Sequence, residues 1–273
     1  MARISIVIIT KNEADILPDC ISMAKLITDD IVIVDSGSTD GTLAIAGAND
    51  CSVYQFKWEG YGANKNKGIE LARYDWILSI DADEVPDVDL INCLHELQLG
   101  DENVVYDIKF KSYLGKKQIR FGQWGRDHHL RLFNRRVVKW SSSRVHETLI
   151  LPKGIVIKKI NGHLHHYSVK DLRECKLKAV YYAKLSAESL FQSGKKATFV
   201  KLYLSPVFSF FIGYFIYLGF LDGKEGWQIS MITYKNKYLK YRYLKNTVPG
   251  YKKEQPVKIN LPLNIDEIPA SAC

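Results

Sequence analysis

The chain opens on an unbroken apolar run, Ile4 to Ile9, and repeats it at Ile31 to Asp35; both runs are rich in β-branched residues and predict buried strands. Between them Ile16, Leu17, Cys20, Ile21 and Ala24 recur at helical spacing within Glu13 to Leu26. A strand, a helix and a strand in that order predict a parallel pair. The alternation continues with a helix opening over Asp40 to Ala46, a strand at Ser52 to Phe56, a helix at Asn64 to Ala72 and a strand at Trp76 to Ile80. Strands alternating with helices in this way predict an open, mostly parallel α/β sheet with flanking helices.

After residue 104 the alternation weakens. Val104 to Phe110 and Leu130 to Phe133 read as strands, with Gly115, Gly122 and Gly125 marking turns, so a mixed sheet is expected there. Leu172 to Phe191 is helix-like. Phe199 to Phe220 is apolar and aromatic but interrupted by Lys201, Ser205, Pro206 and Gly213. These breaks, and the abundance of Tyr and Phe, favour a re-entrant or surface-lying helical hairpin over a transmembrane helix. The neighbouring Tyr234 to Leu244 mixes Tyr, Leu and basic residues, which suits a membrane surface better than base stacking, so no nucleic-acid partner is expected. The division expected is a catalytic domain over residues 1–170 and a helical, basic and aromatic membrane-associating tail over 171–273.

Composition sharpens this picture in two places. The net charge of +8 conceals an asymmetry: residues 1 to 107 hold 7 Lys+Arg against 20 Asp+Glu, and the rest hold 31 against 10. A basic second half meets nucleic acid, anionic lipid or a phosphorylated acceptor, and charge does not choose among them. The five cysteines (Cys20, Cys51, Cys93, Cys175 and Cys273) show no C-x-x-C spacing, which predicts inert thiols in a reducing compartment. The first apolar run is short and passes straight into polar residues, so it reads as a strand and not as a targeting signal. The expected location is cytoplasmic, peripheral at the inner face of the plasma membrane.

In an open α/β sheet ligands bind beyond the carboxyl ends of the strands, and here those ends carry Thr10 to Glu13, Asp35 to Gly41 and Asp81 to Glu84. Asp81-Ala82-Asp83 is the strongest of these signals. Two acidic strand ends are costly to bring together unless a cation or a donor-rich ligand joins them. Hard oxygens spaced by one residue suit Mg²⁺ or Mn²⁺, which would also neutralise a diphosphate leaving group. The competing reading is that Asp83 and Glu84 merely start a turn before Pro86. The Ser36 to Gly41 loop doubles as a turn and cap for the helix that follows it.

Four segments in order, Ser-Ile-Val-Ile-Ile-Thr-Lys-Asn-Glu (5–13), Ile-Val-Ile-Val-Asp-Ser-Gly-Ser-Thr-Asp-Gly-Thr (31–42), Asn-Lys-Asn-Lys-Gly-Ile-Glu-Leu-Ala (64–72) and Trp-Ile-Leu-Ser-Ile-Asp-Ala-Asp-Glu (76–84), closely resemble the family 2 glycosyltransferases, whose fold is GT-A. A weaker likeness continues through Arg131-Leu132-Phe133 and Val145-His146-Glu147, similar to lipopolysaccharide core β-1,4-glucosyltransferases. By this resemblance Thr10, Asn12, Glu13 and Ser36 line a nucleotide-sugar pocket, Asp35 binds the base and Lys65 sits near base or phosphate. Asp81 holds the ribose with Ala82 beside it, Asp83 ligates Mg²⁺ or Mn²⁺, and Arg131 faces the diphosphate. Inverting transfer needs a general base for the acceptor hydroxyl; relatives place an acid after the central triplet, and the match here is Glu147. The resemblance further implies UDP-glucose as donor and a lipid-linked or lipopolysaccharide core acceptor.

Of the basic cluster Arg126, Arg131, Arg135 and Arg136, only Arg131 lies within the resembling motif. His163, His165 and His166 have no Cys or acid at ligand spacing, so a catalytic zinc is not expected; some members of the resembling family place a histidine beyond the base on the metal or diphosphate, and the resemblance makes any one of these three a candidate for that place. The competing enzyme class, a nucleotidyltransferase, wants a glycine-rich activating loop where this chain reads Thr10-Lys11-Asn12-Glu13. A non-catalytic membrane or nucleic-acid binding module is the other alternative, and the intact acidic loops argue against it.

Overall fold

The parallel half of the sheet follows directly from the apolar runs. In the computed structural model, which describes residues 3–141 and 147–247, β1 (Ile4–Thr10), β2 (Ile31–Asp35), β3 (Ser52–Gln55) and β4 (Trp76–Asp81) pair in the order β3-β2-β1-β4, all parallel. The crossovers run through α1 (Leu17–Lys25), α2 (Thr42–Ala48) and α3 (Tyr61–Leu71). On one face Ile4, Ile6, Ile8, Ile33, Leu78 and Ile80 pack with Leu17, Cys20, Ile21 and Ala24 of α1. On the other, Val7, Ile9, Val32, Val34 and Ile77 pack with Tyr61 and Ile69 of α3. Burial on both faces is why these strands read as continuous apolar runs and not as alternating ones.

Two local details set the helices in place. α1 begins at Leu17 and not at Glu13, because residues 13–16 close a turn in which the Glu13 carbonyl accepts from the Ile16 and Leu17 amides at 3.2 and 2.9 Å, and Pro18 fits the first helical turn. α3 lies close on the sheet at Gly68, where a Cβ would stand 2.5 Å from Val7 Cγ1 and 2.7 Å from Val34 Cγ2.

Beyond β4 the pairing turns antiparallel. β5 (Glu84–Pro86) leads to α4 (Val88–Glu96), capped by Asp87, whose side chain accepts from the Leu90 amide at 2.9 Å. β6 (Val104–Leu114), β7 (Lys117–Ile119), β8 (His128–Asn134), β9 (Lys139–Trp140), β10 (Leu149–Ile150) and β11 (Val156–Val169) follow. The sheet continues from β4 through β8, β6, β11 and β5, with β4 and β8, β8 and β6, and β11 and β5 antiparallel. The mixed sheet expected after residue 104 is thus found, and the sheet as a whole is mixed where a mostly parallel one was expected. Helical crossovers are what make neighbours parallel, and after α4 the strands follow one another without them.

The described residues divide into two compact units. One runs through Tyr113 and resumes over Asp127–Ser168; the other joins Leu114–Arg126 to the chain from Val169 onward. The expected division at residue 170 placed 114–126 with the catalytic domain. Leu114 and Ile119 instead share a core cluster with Val169, Cys175, Ile229 and Ile232, which draws that segment into the second unit.

Within the second unit α5 (Leu172–Gln192) is capped by Asp171, which accepts from the Glu174 amide at 2.8 Å. α6 (Ser205–Phe211) is flanked by π-helical turns at Val200–Leu204 and Ile212–Ile216, and α7 (Gly223–Thr247) closes the described chain. Among the described residues no single helix is long and apolar enough to cross a membrane; Val200–Ile216 and Gly219–Asn246 form a pair bent by 71°. Cys20, Cys51, Cys93 and Cys175 are free thiols, and Cys273, with the rest of the expected tail beyond residue 247, lies outside the described residues.

Candidate active site

The register brings the acidic strand ends to one edge: Thr10 is level with Asp35, and Ile9 with Asp81. β1 lies between the two acids, and each is compensated by its own donors. Asp35 accepts from the Gly37 and Ser38 amides at 2.9 and 3.0 Å, from the Ser38 hydroxyl and from Gln55 Nε2 at 3.4 Å. The expectation that a ligand alone could reconcile these two carboxylates is thereby corrected. Internal hydrogen bonds and ion pairs do so, since a buried carboxylate is satisfied by any donors within reach.

The two neighbouring loops are stapled to each other. Asn12, in the left-handed region with φ 58°, takes the Thr39 amide on its Oδ1 at 2.8 Å, and its own amide donates to Ser38 Oγ at 2.9 Å. The Glu13 amide donates to Thr42 Oγ1 at 2.9 Å, and Asn64 Nδ2 donates to Ser36 Oγ at 3.1 Å. Thr10 Oγ1, at the end of β1, is buried without a hydrogen-bond partner. Such a group is satisfied when a polar ligand or water reaches it.

A buried charge network occupies the next strand end. The Lys65 ammonium, fully buried on α3, lies 3.0 Å from Asp81 Oδ1 and 3.0 Å from Glu147 Oε1, and 4.6 Å from the centre of the Trp140 ring. Burial is the largest single influence and works against its charge, but Asp81, Glu147 and Glu84 together outweigh it and hold the amine above the usual lysine range. Asp81 feels the converse: burial pushes its carboxyl up, and Lys65 and then Arg131 outweigh that and lower it. Arg131, on β8, stands 3.5 Å from Asp81 Oδ2 and in direct contact with Glu84 Oε1. Glu84 in turn accepts from the Asp81 amide at 3.1 Å, and burial raises its carboxyl above the ordinary range despite the Arg131 guanidinium. Trp140 is fixed over this network by Asn66 of α3, which exchanges hydrogen bonds with the Trp140 backbone at 2.9 and 3.0 Å.

Asp83 is 1% exposed, just past the end of β4. The antiparallel pairing of β11 with β5 sets His166 opposite Glu84, and the Tyr167 amide donates to the Asp83 carbonyl at 3.0 Å. His166 Nε2 consequently lies 3.5 Å from Asp83 Oδ2. Burial lowers the His166 imidazole to about 4, so it is neutral at pH 7 and offers a lone pair. His163 and His165 point elsewhere: His163 Nδ1 pairs with Asp87 at 3.1 Å, and His165 Nδ1 meets the Tyr113 hydroxyl at 2.8 Å. Among the described residues no three of His, Cys, Asp and Glu gather as a metal cage. The Asp83 and His166 pair fits a divalent ion only if a diphosphate and water supply the remaining ligands.

The structure thus brings Lys65, Asp81, Asp83, Arg131 and Glu147 together and sets Thr10, Asn12, Glu13, Asp35 and Ser36 in the adjoining loops. Ala82 is buried, and its amide donates to the Ile9 carbonyl at 3.2 Å. Val145 and His146, next to Glu147, lie outside the described residues. Arg135 caps the end of α3 through the Ile69 and Ala72 carbonyls at 3.0 and 2.6 Å, and Arg136 is exposed 4.0 Å from Asp75. Arg126 belongs to the other unit, stacked 4.6 Å from the Tyr217 ring. Sequence reasoning missed Glu84 and Trp140. Glu84 carried a signal, an acid directly after the acidic triplet in an apolar surrounding; Trp140 carried none.

The family model for glycosyl transferase family 2 matches residues 5–151. An uncharacterized glycosyltransferase of Rickettsia felis is 30% identical over 91% of this chain and 91% of its own length. The lipopolysaccharide core biosynthesis glycosyltransferase LpsC of Rhizobium meliloti is 34% identical over 78% of this chain and 80% of its own. Among solved structures, glucosyl-3-phosphoglycerate synthase of Mycobacterium tuberculosis, in complex with Mn²⁺, UDP and glucosyl-3-phosphoglycerate, overlays 41% of this chain at 24% identity with a TM-score of 0.35. The chain spans less than half, 44%, of that protein's length.

Proposed function

Since the chain belongs to glycosyl transferase family 2, we propose that it transfers a sugar from a nucleotide diphosphate sugar, UDP-glucose in the first instance, onto a lipopolysaccharide core or other lipid-linked glycan, with inversion and with a divalent metal. The observation that carries this reading is the buried pair Asp83 and His166 at the end of β4, beside the Lys65, Asp81 and Arg131 network. The acceptor class is supported by the likeness to LpsC over most of both chains.

Asp83 and His166 would hold the metal, and a carboxylate beside a neutral imidazole suits Mn²⁺ better than the all-oxygen preference of Mg²⁺. The ion supplies charge to offset the departing diphosphate. Thr10 Oγ1, whose hydrogen bond is unmet at the end of β1, would take a polar group of the nucleotide. Asp35 shapes the base pocket by holding its own loop closed through Gly37 and Ser38. Arg131 and Lys65 bring fixed positive charge to where negative charge develops on the leaving group. Glu147, oriented by its ion pair with Lys65, takes the proton of the acceptor hydroxyl as that oxygen attacks the anomeric carbon.

Thermal shift against UDP-, GDP- and ADP-sugars, each with and without Mn²⁺ or Mg²⁺, tests the reading, because a ligand that binds only the native state raises its apparent stability. Metal-dependent stabilisation by a UDP-sugar is expected. A folded sample that responds to no nucleotide sugar rejects it.

A further inference from the structure

We infer that the second unit seats on an anionic lipid surface through the bent pair Val200–Ile216 and Gly219–Asn246, with the exposed apolar side of the first helix entering one leaflet. The inference extends the lipid-linked acceptor reading above, but it stands on the geometry of this unit alone.

The helical run from Val200 to Ile216 is amphipathic in the reverse sense to a soluble helix. Its inward positions are Leu202, Pro206, Ser209 and Gly213, and Ser209 Oγ accepts from Lys237 Nζ of α7 at 2.5 Å. Its outward positions are Val200, Leu204, Phe208, Phe211 and Phe215, with Phe208 61% exposed and Ile216 60%. Leu202 apart, the groups that face the protein are small or polar, while a row of large apolar ones faces out, so water is the wrong solvent for this side. Single exposed apolar residues are ordinary; a continuous row of them along one helix is not.

The bend is built in, so the apolar side cannot be folded away cheaply. Leu218 takes φ 59°, and Gly213, Gly219 and Gly226 let the backbones touch: a Cβ at Gly219 would stand 2.7 Å from the Gly213 carbonyl oxygen, and one at Gly226 would stand 1.8 Å from that of Gly219. At the base of the turn Asp222 accepts from the Arg120 and Phe121 amides at 3.2 and 2.8 Å. Pro206, which has no amide proton, explains the π-helical turn before it, where the Ser205 amide reaches back to Val200.

Charge selects lipid over other occupants. No charged residue lies between Lys201 and Asp222, and the exposed flanks of that stretch carry Lys195, Lys196, Lys201 and Lys224. An uncharged aromatic centre with lysines at its borders matches a bilayer, whose apolar interior lies beneath an anionic headgroup layer. A protein partner of ordinary polarity would be met by polar groups spread through the patch, since such interfaces are little more apolar than the rest of the surface.

Flotation of the full chain with vesicles tests this, with neither metal nor nucleotide present, so that its outcome is separate from that of the transferase reading. The wild-type protein should float with phosphatidylglycerol-containing vesicles and be recovered less with pure phosphatidylcholine ones or at high salt. The double variant Phe208→Glu/Phe215→Glu should lose vesicle affinity by about tenfold or more and keep the thermal stability and nucleotide-sugar response of the wild type. Wild-type protein that stays unbound with every vesicle overturns the inference, and so does a double variant that binds as tightly as wild type. A wild-type dimer by light scattering that the double variant breaks, without vesicle binding, assigns the surface to a second copy instead.

Discussion

His166 Nε2 and Asp83 Oδ2 lie 3.5 Å apart, and both side chains are almost wholly buried although the two residues are far apart in sequence. The pairing of β11 with β5 fixes this distance, because register sets His166 against Glu84 and the Asp83 carbonyl against the Tyr167 amide. On the proposed reading this neutral imidazole and carboxylate would supply two ligands to a divalent ion, and a diphosphate would bring others.

It follows that His166→Ala should weaken Mn²⁺ binding in the presence of UDP by roughly 10–100-fold, measured by calorimetric titration. Asp83→Asn should weaken it further and nearly abolish turnover with an unchanged circular dichroism spectrum. Full activity in a folded Asp83→Asn protein would remove Asp83 from the metal site.

The same imidazole makes stability pH-dependent. Its native value of about 4 lies below the ordinary histidine value of 6.5, so between these the unfolded chain binds the extra proton. The resulting stabilisation is complete above 6.5 and is lost as the pH falls toward 4, in all about 3 kcal/mol. Urea unfolding without divalent ions, compared between wild type and His166→Gln from pH 7 to pH 4.5, should show the wild type losing more. Parallel pH profiles would mean that His166 titrates as it does in water.

The parallel half of the fold was legible because Ile4–Thr10, Ile31–Asp35 and Trp76–Asp81 are buried on both faces, and a doubly buried strand cannot disguise itself. The carboxyl-edge residues were legible for the same reason, since strand ends locate loops. What the sequence hid depends on pairing across long separations. Nothing local distinguishes His166 from His163 or His165; the alternation of β11 and its register with β5 do that. Arg131 and Arg135 differ likewise only in what the fold brings to them, Glu84 for one and the end of α3 for the other. The segment 114–126 reads as turns, and its membership of the second unit rests on the apolar cluster around Leu114 and Ile119.

Close packing of α3 on the sheet gives a prediction independent of chemistry. Gly68→Ala sets a methyl against Val7 and Val34 at distances no real Cβ tolerates, and should cost about 1–3 kcal/mol by overpacking. Gly47→Ala, in α2 with open space around it, should instead gain up to about 1 kcal/mol from helix propensity. Urea midpoints moving in opposite directions confirm the close approach of α3, whereas an equal gain in both variants contradicts it.

Lys65 and Glu147 separate structure from catalysis. Removing the ammonium with Lys65→Met takes the shared cation from the buried Asp81 and Glu147 carboxylates, and breaking a buried pair from one side costs about 3–5 kcal/mol. Glu147→Gln leaves Lys65 paired with Asp81 and keeps an oxygen within reach of it, so its stability loss should be much smaller. If Glu147 is the general base, that variant should lower kcat by about 10²–10⁴-fold and leave the Kd for the UDP-sugar and Mn²⁺ unchanged, as read by single-turnover kinetics and titration. If Glu147 serves only to neutralise Lys65, Glu147→Gln should retain most of its turnover and show a loss of stability alone. The ratio of the two effects in this one variant decides which role the carboxylate has.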